Sequence, residues 1–184
     1  MPFNFLRRRK TEGDASGPGP LGPAGLRFDA LTDEWRLTGL MHVDGRLSDV
    51  LNRRVPIALS GVAWSPLDGS AGFTDAPGVQ AIDPYDVIIA LAGSGSLPEL
   101  TDDEQVARRV RKLPYRVALE APPFRVVGVA HLRHTEAPDR MIDDATTMFI
   151  PLTEAQVRLN GALVAGPMTV LVNRLYVRGV EQVT

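Results

Sequence analysis

From Trp35 to Val43 the chain alternates. Trp35, Leu37, Gly39, Met41 and Val43 fall on one side, and Arg36, Thr38, Leu40 and His42 on the other. A period of two marks a strand with one buried face. Residues 26–31 carry a compatible pattern and are separated from 34–43 by Thr32-Asp33, so the two segments predict a hairpin. A second hairpin is predicted for 115–121 and 124–132, with Pro122-Pro123 at its turn. Between these lie two helical signals. In "RLSDVLNRR" (46–54), Leu47, Val50 and Leu51 sit at i, i+3 and i+4, one apolar face suited to cover the open end of a barrel. That spacing leaves Arg46, Asp49, Arg53 and Arg54 toward water. Asp44-Gly45 is a turn before this segment, and "VPIALSGVAW" resumes as strand after it. In "LTDDEQVARRVRKLP" (100–114), Thr101 and Glu104 form a capping box, cations crowd the last turns and Pro114 stops the helix.

The two hairpins resemble one another. Residues 26–42 align without a gap on 115–131: Arg27 with Arg116, Arg36 with Arg125, Gly39 with Gly128 and His42 with His131, with the aromatics Trp35 and Phe124 in register. Arg46-x-x-Asp49 then has a counterpart in Arg140-x-x-Asp143. "VPIALSGV" (55–62) faces "FIPLTEAQV" (149–157), and "YDVIIALAG" (85–93) resembles "MTVLVNRLYV" (168–177). Landmarks in one order predict an internal duplication. The fold expected is mainly β: two related small antiparallel barrel or sandwich modules, residues 26–98 and 114–184, joined by a short helix over 99–113. Glycines inside strands, Gly39 and Gly128, predict a bulge or tight bend in each module.

Composition narrows the chemistry. Twenty basic and 22 acidic side chains leave a formal net charge of −2, so any affinity for nucleic acid or an anionic surface must come from a local patch. The chain has no cysteine, which removes disulfides, thiolate metal sites and cysteine nucleophiles. Residues 1–25 read as a disordered tail. Phe3, Phe5 and Leu6 precede the cations Arg7, Arg8, Arg9 and Lys10, an order opposite to that of an export signal. The Gly- and Pro-rich stretch that follows reads as a tether. Aromatics beside cations in this tail suit a peripheral membrane contact or a partner-docking tag.

Catalytic and cofactor motifs are weak. His131-x-x-His134 with Glu136 and Asp139 has neither the helical spacing nor the glutamate of a metalloprotease, and no metal is expected. "AGSGSLPEL" (92–100) lacks the Lys and Ser/Thr of a phosphate loop, and Asp102 and Asp103 would repel a phosphate there. No serine stands in a nucleophile elbow. No catalytic residue and no cofactor are therefore expected. His42 and His131 are read as structural together with Gly39 and Gly128. Arg46/Asp49 and Arg140/Asp143 are read as ion pairs across one helical turn.

The passage "GLMHVDGRLSDVLNRR" (39–54) resembles the signature of a family of small bacterial β domains without an assigned activity. Gly39, His42, Gly45, Arg46, Leu47, Ser48, Asp49, Leu51 and Asn52 match its first part, and Phe149-Ile150-Pro151-Leu152-Thr153 its last. The resemblance covers about a quarter of the chain; in the second half the Leu-Ser and Leu-Asn are replaced. It implies a bacterial cytoplasmic setting and a small β domain. The function expected is that of a non-enzymatic binding or scaffold protein with a protein partner, contacted through Arg46, Asp49, Arg54, Arg140 and Asp143, with sheet edges adding surface. The alternative is a small-barrel nucleic-acid binder using Arg108, Arg109, Arg111 and Lys112. A ligand-sensing barrel is a third reading, without a pocket signature to support it.

Overall fold

The computed structural model describes residues 25–42, 45–93 and 112–183. Its strands are β1 (Leu26–Leu31), β2 (Trp35–Met41), β3 (Ile57–Pro66), β4 (Thr74–Asp75), β5 (Ala81–Ile82), β6 (Ile89–Ala92), β7 (Lys112–Ala121), β8 (Phe124–Arg133), β9 (Phe149–Leu159), β10 (Ala162–Asn173) and β11 (Gly179–Gln182). One six-residue helix, α1 (Leu47–Asn52), precedes β3. The protein is mainly β. The strands of the described residues form one antiparallel sheet in the order β11-β7-β8-β9-β10-β6-β1-β2-β3-β4, and β5 pairs β3 beside that path.

Both predicted hairpins form, held together along their whole length by β1–β2 and β7–β8 ladders. The first is closed by Thr32, whose hydroxyl accepts the amide of Trp35 at 3.0 Å. The burial pattern of β2 follows the predicted alternation: Leu37, Gly39 and Met41 face inward and Leu40 is exposed. Helix α1 buries Leu47, Val50 and Leu51, the face its spacing indicated.

Two closed barrels do not form. A single open sheet runs through both halves, and the seam is the pairing of β6 with β10. At this seam each face of the sheet serves a different core. On β6, Ala90 and Ala92 pack with Phe28, Met41 and Leu51, whereas Ile89 and Leu91 pack with Leu119, Val126 and Leu152. On β10, Leu171 joins the first group and Val170 and Val172 the second. A strand buried on both sides has no solvated positions, so β6 reads as an unbroken apolar run. The likeness of 85–93 to 168–177 is explained in the same way. The apolar cores of these segments are paired neighbours sharing a double-sided burial, not equivalent strands.

The strand order has a regularity of its own. Reading from one end, β11-β7-β8-β9-β10 is followed by β6-β1-β2-β3-β4. In each block the last strand in sequence lies outside the first, and the three central strands follow in order. A 3₁₀ turn precedes each of those last strands. Pro84–Asp86 leads to β6 and is capped by Asp83, and Arg174–Tyr176 leads to β11 and is capped by Asn173. β10 stands in the second block where β4 and β5 together stand in the first.

The helix expected over 99–113 falls mostly on residues outside those described. Its last two, Lys112 and Leu113, begin β7 instead and pair with Arg133 and Leu132. Pro114, read as a helix stop, lies within the same strand. The tail residues Phe3, Phe5, Arg7, Arg8, Arg9 and Lys10 also lie outside the described residues, as do Arg108, Arg109 and Arg111.

Candidate functional site

Each block carries the same local device. In β3 the pairing with β2 slips by one residue between Thr38 and Leu40, and Gly61 at the slip has φ of +55°. In β9 the pairing with β8 slips between Val127 and Val129, and Glu154 there has φ of +51°. An extra residue of this kind bends the strand and increases its twist. Gly39 and Gly128 stand opposite these bulges. A Cβ on Gly39 would lie 3.2 Å from the Ser60 carbonyl oxygen, and one on Gly128 would lie 2.9 Å from the Cβ of Ala155. The bend brings the strands close at each glycine: a Cβ at 128 would overlap Ala155, and one at 39 would require its neighbours to give by a few tenths of an ångström.

The two histidines lie at the same bends. His42 Nε2 is 2.6 Å from the Ser60 hydroxyl, and His131 Nε2 is 2.9 Å from the Thr153 hydroxyl. Both rings are exposed, and each ties the second strand of its hairpin to the strand that follows.

Beside His131 a cleft of about 510 Å³ opens between β8, the start of β9 and the loop 134–148. Ala130, Leu132, Met141 and Ile150 supply its apolar lining, and Lys112, Arg133, Glu136 and Asp144 its charges. The Glu136 carboxylate accepts the Arg133 amide at 2.7 Å, closing the turn after β8. Lys112 and Arg133 are balanced by Glu136 and Asp144, which leaves the cleft without a dominant field. His134 is exposed in the turn. Among the described residues no three His, Asp or Glu side chains are grouped as a metal would need.

The expected contact residues are dispersed. Asp49, Arg54, Arg140 and Asp143 are exposed. Arg46 is half-buried and its Nη2 is enclosed without a hydrogen-bond partner among the described residues, so it does not face water as the helical spacing implied. The ion pairs Arg46–Asp49 and Arg140–Asp143 do not form. Ion pairs among the described residues join Arg27 to Asp29, and Arg125 to both Glu120 and Glu181. The arginines start from non-helical positions: Arg46 precedes the helix in extended backbone, and Arg140 ends the 3₁₀ turn Pro138–Arg140. Arg54 instead reaches the Thr146 carbonyl at 3.5 Å.

Two asparagines join the blocks; the sequence singled out Asn52 only through the family resemblance and gave Asn173 no role. Asn52, at the end of α1, accepts the Phe149 amide at 2.8 Å and donates to the Ser48 carbonyl at 2.8 Å. Asn173 is fully buried and donates to the Val87 carbonyl at 2.9 Å, while its own amide bonds the Ile88 carbonyl. The partners across the blocks, Phe149 and Val87, lie far off in sequence, so no local signal predicts these contacts. The hairpin turn Asn160-Gly161, with both residues at positive φ, did carry a signal: Asn-Gly between two alternating runs.

The sheet also has two outer edges. At one end β11 pairs β7, and at the other β4 and β5 pair β3; among the described residues no strand lies beyond either. Gly179 and Val180 are half-buried and Glu181 and Gln182 exposed, in contrast to the fully enclosed β6. No helix among the described residues is long and apolar enough to cross a membrane. Comparison with protein-family models, with curated proteins and with solved structures produced no match to this chain.

Proposed function

We propose that this is a non-enzymatic binding or scaffold protein, built by duplication of one β unit, whose contact surface is the pair of sheet edges beyond which no strand lies among the described residues. The duplication is supported by the repeated strand order, by the bulge opposite a glycine in each block and by the matched histidine–hydroxyl contacts. The observation that carries the binding reading is the state of β11. The Val183 amide bonds the Arg116 carbonyl, and in an antiparallel ladder the inward-facing residues alternate. The N–H and C=O groups of Val180 and Gln182 therefore point away from β7. An edge of this kind is a ready template for an added strand, with affinity from the main chain and selectivity from alternate side chains.

A bacterial cytoplasmic setting and tail-mediated membrane contact belong to the same proposal, resting on the resemblance and on the order of aromatics and cations in residues 1–10. Hydrogen exchange on the full chain tests the contact surface. The Val180 and Gln182 amides should exchange rapidly in the isolated protein and become protected when a partner binds. Protection confined to the cleft around His131 would overturn the edge reading.

A further inference from the structure

The seam inside the chain specifies what the two outer edges fit. On β10, Asn173 donates its amide to the Ile88 carbonyl, and the β6–β10 ladder runs Val172 to Ile89, Leu171 to Ala90, Val170 to Leu91 and Thr169 to Ala92. Alternation makes Asn173, Leu171 and Thr169 the hydrogen-bonding positions of β10, and Ile88, Ala90 and Ala92 those of β6.

The outer edges repeat this geometry with no partner strand among the described residues. Asp83 caps its 3₁₀ turn as Asn173 caps the other, and β5 enters that turn from β3 as the end of β10 enters from β9. The Leu59 amide bonds the Gln80 carbonyl, which turns Gln80 and Ile82 toward β3 and leaves Ala81 facing outward; the Val79 amide is taken by the Ala76 carbonyl, so Val79 offers only its own carbonyl. β11 follows its turn at the same distance as β6 follows its own, with Val180 and Gln182 outward. The outward positions of both edges therefore match those of the seam, except that the Val79 amide is already bonded to the Ala76 carbonyl.

We propose that the occupant of these edges is a second copy of this chain, joined head to tail. Residues 79–83 of one copy pair antiparallel with 178–182 of the next: Ala81 exchanges both bonds with Val180, the Val79 carbonyl accepts the Gln182 amide, and the Asp83 amide reaches the Arg178 carbonyl as that of Asn173 reaches Ile88, the Arg178 amide being held by Glu120. This proposal rests on the edge-binding reading above and names its partner. The side chains are compatible with it. Asp83 and the exposed Arg178 carry opposite charges at one end, and Gln80 meets Glu181 without a like-charge clash. Glu181 is already paired with Arg125 on its own sheet. A heterologous contact of this kind leaves one edge of each type free at every step, so it extends the sheet until a ring closes.

The experiment uses the full chain. Sedimentation velocity over a range of concentrations should show species larger than the 19.9 kDa monomer. Gln182→Pro removes an outward donor from one edge and Ala81→Pro from the other, so each variant alone should be monomeric or nearly so. An equimolar mixture of the two should form a dimer, because each retains the edge the other lacks. Dimers of Ala81→Pro alone would overturn the head-to-tail pairing in favour of β11 against β11.

Cysteine cross-linking gives a readout that does not depend on proline being tolerated, and the native chain has no cysteine to interfere. Gln80 and Glu181 would be a non-hydrogen-bonded pair, where cross-strand Cα atoms stand about 4.5 Å apart, within disulfide reach. The double variant Gln80→Cys/Glu181→Cys should give an oxidant-dependent ladder on a non-reducing gel, and neither single variant should. A wild-type chain that stays monomeric at every concentration, with no ladder from the double variant, overturns the self-pairing. The edge-binding reading would survive that result if the Val180 and Gln182 amides were still protected by another strand.

Discussion

Gly128 stands against Ala155 with no room between them: a Cβ at 128 would sit 2.9 Å from the Ala155 Cβ and 3.1 Å from both its Cα and the Thr153 carbonyl oxygen. Backbone atoms form part of that wall, so the strain cannot be relieved by a rotamer change alone. Gly128→Ala should destabilise the protein by about 1–3 kcal/mol, the usual range for overpacking. Gly39→Ala, whose nearest contacts are 3.2 and 3.3 Å away, should cost less. Urea denaturation of the two variants checks the order.

Asn52 holds the backbone of Phe149, a buried residue of the other block, through its side-chain oxygen. Asn52→Ala leaves that amide without an acceptor and should cost about 1–3 kcal/mol. Asn52→Asp keeps an acceptor and loses only the donor to Ser48, so it should be milder. A larger loss with Asp than with Ala would contradict the bridging role.

Asn173 links the two 3₁₀ turns. Its side-chain amide donates to Val87, its side-chain oxygen caps Leu175, and nearby the Tyr176 hydroxyl donates to the Tyr85 carbonyl at 2.9 Å. Asn173→Leu fills the site but strands buried polar groups, and should lower the thermal midpoint more than Tyr176→Phe. Tyr176→Phe removes one partly exposed hydrogen bond worth about 0.5–1.5 kcal/mol.

Burial raises the pKa of Asp86 above its ordinary 3.8, and the nearby charges of Asp83 and Asp33 push it the same way. The carboxylate is thus harder to ionise in the fold than in the unfolded chain. Its protonated form favours the fold, and that contribution is lost as pH rises from the unfolded value through the raised folded one. Asp86→Asn should therefore stabilise the protein at pH 7, with the gain shrinking toward pH 4. Thermal midpoints of variant and wild type at both pH values check the sign; equal differences would refute it.

Much of the local structure could be read directly. Thr32-Asp33 and Pro122-Pro123 mark turns because their chemistry acts on adjacent residues, and Leu47, Val50 and Leu51 mark the buried face of α1 because helix geometry relates near neighbours. The candidate ion pairs failed for a related reason. Arg46 and Asp49 have helical spacing in sequence, but Arg46 lies before the helix begins, and only the backbone shows where it starts. The edges and the cleft were out of reach, because both depend on which strands lie side by side.

The sequence alone therefore determined the hairpins, the short helix, the glycine bends and the β character of the chain, all set by interactions within a few residues. Tertiary structure decided that the halves share one sheet, that β6 pairs β10 across about 80 residues of chain, and that β11 and β5 are left outward. Hydrophobic burial drives strands into contact without naming their neighbours. An apolar run such as 87–92 is satisfied by any sheet with a core on both faces, and long-range register is chosen only when the whole sheet packs.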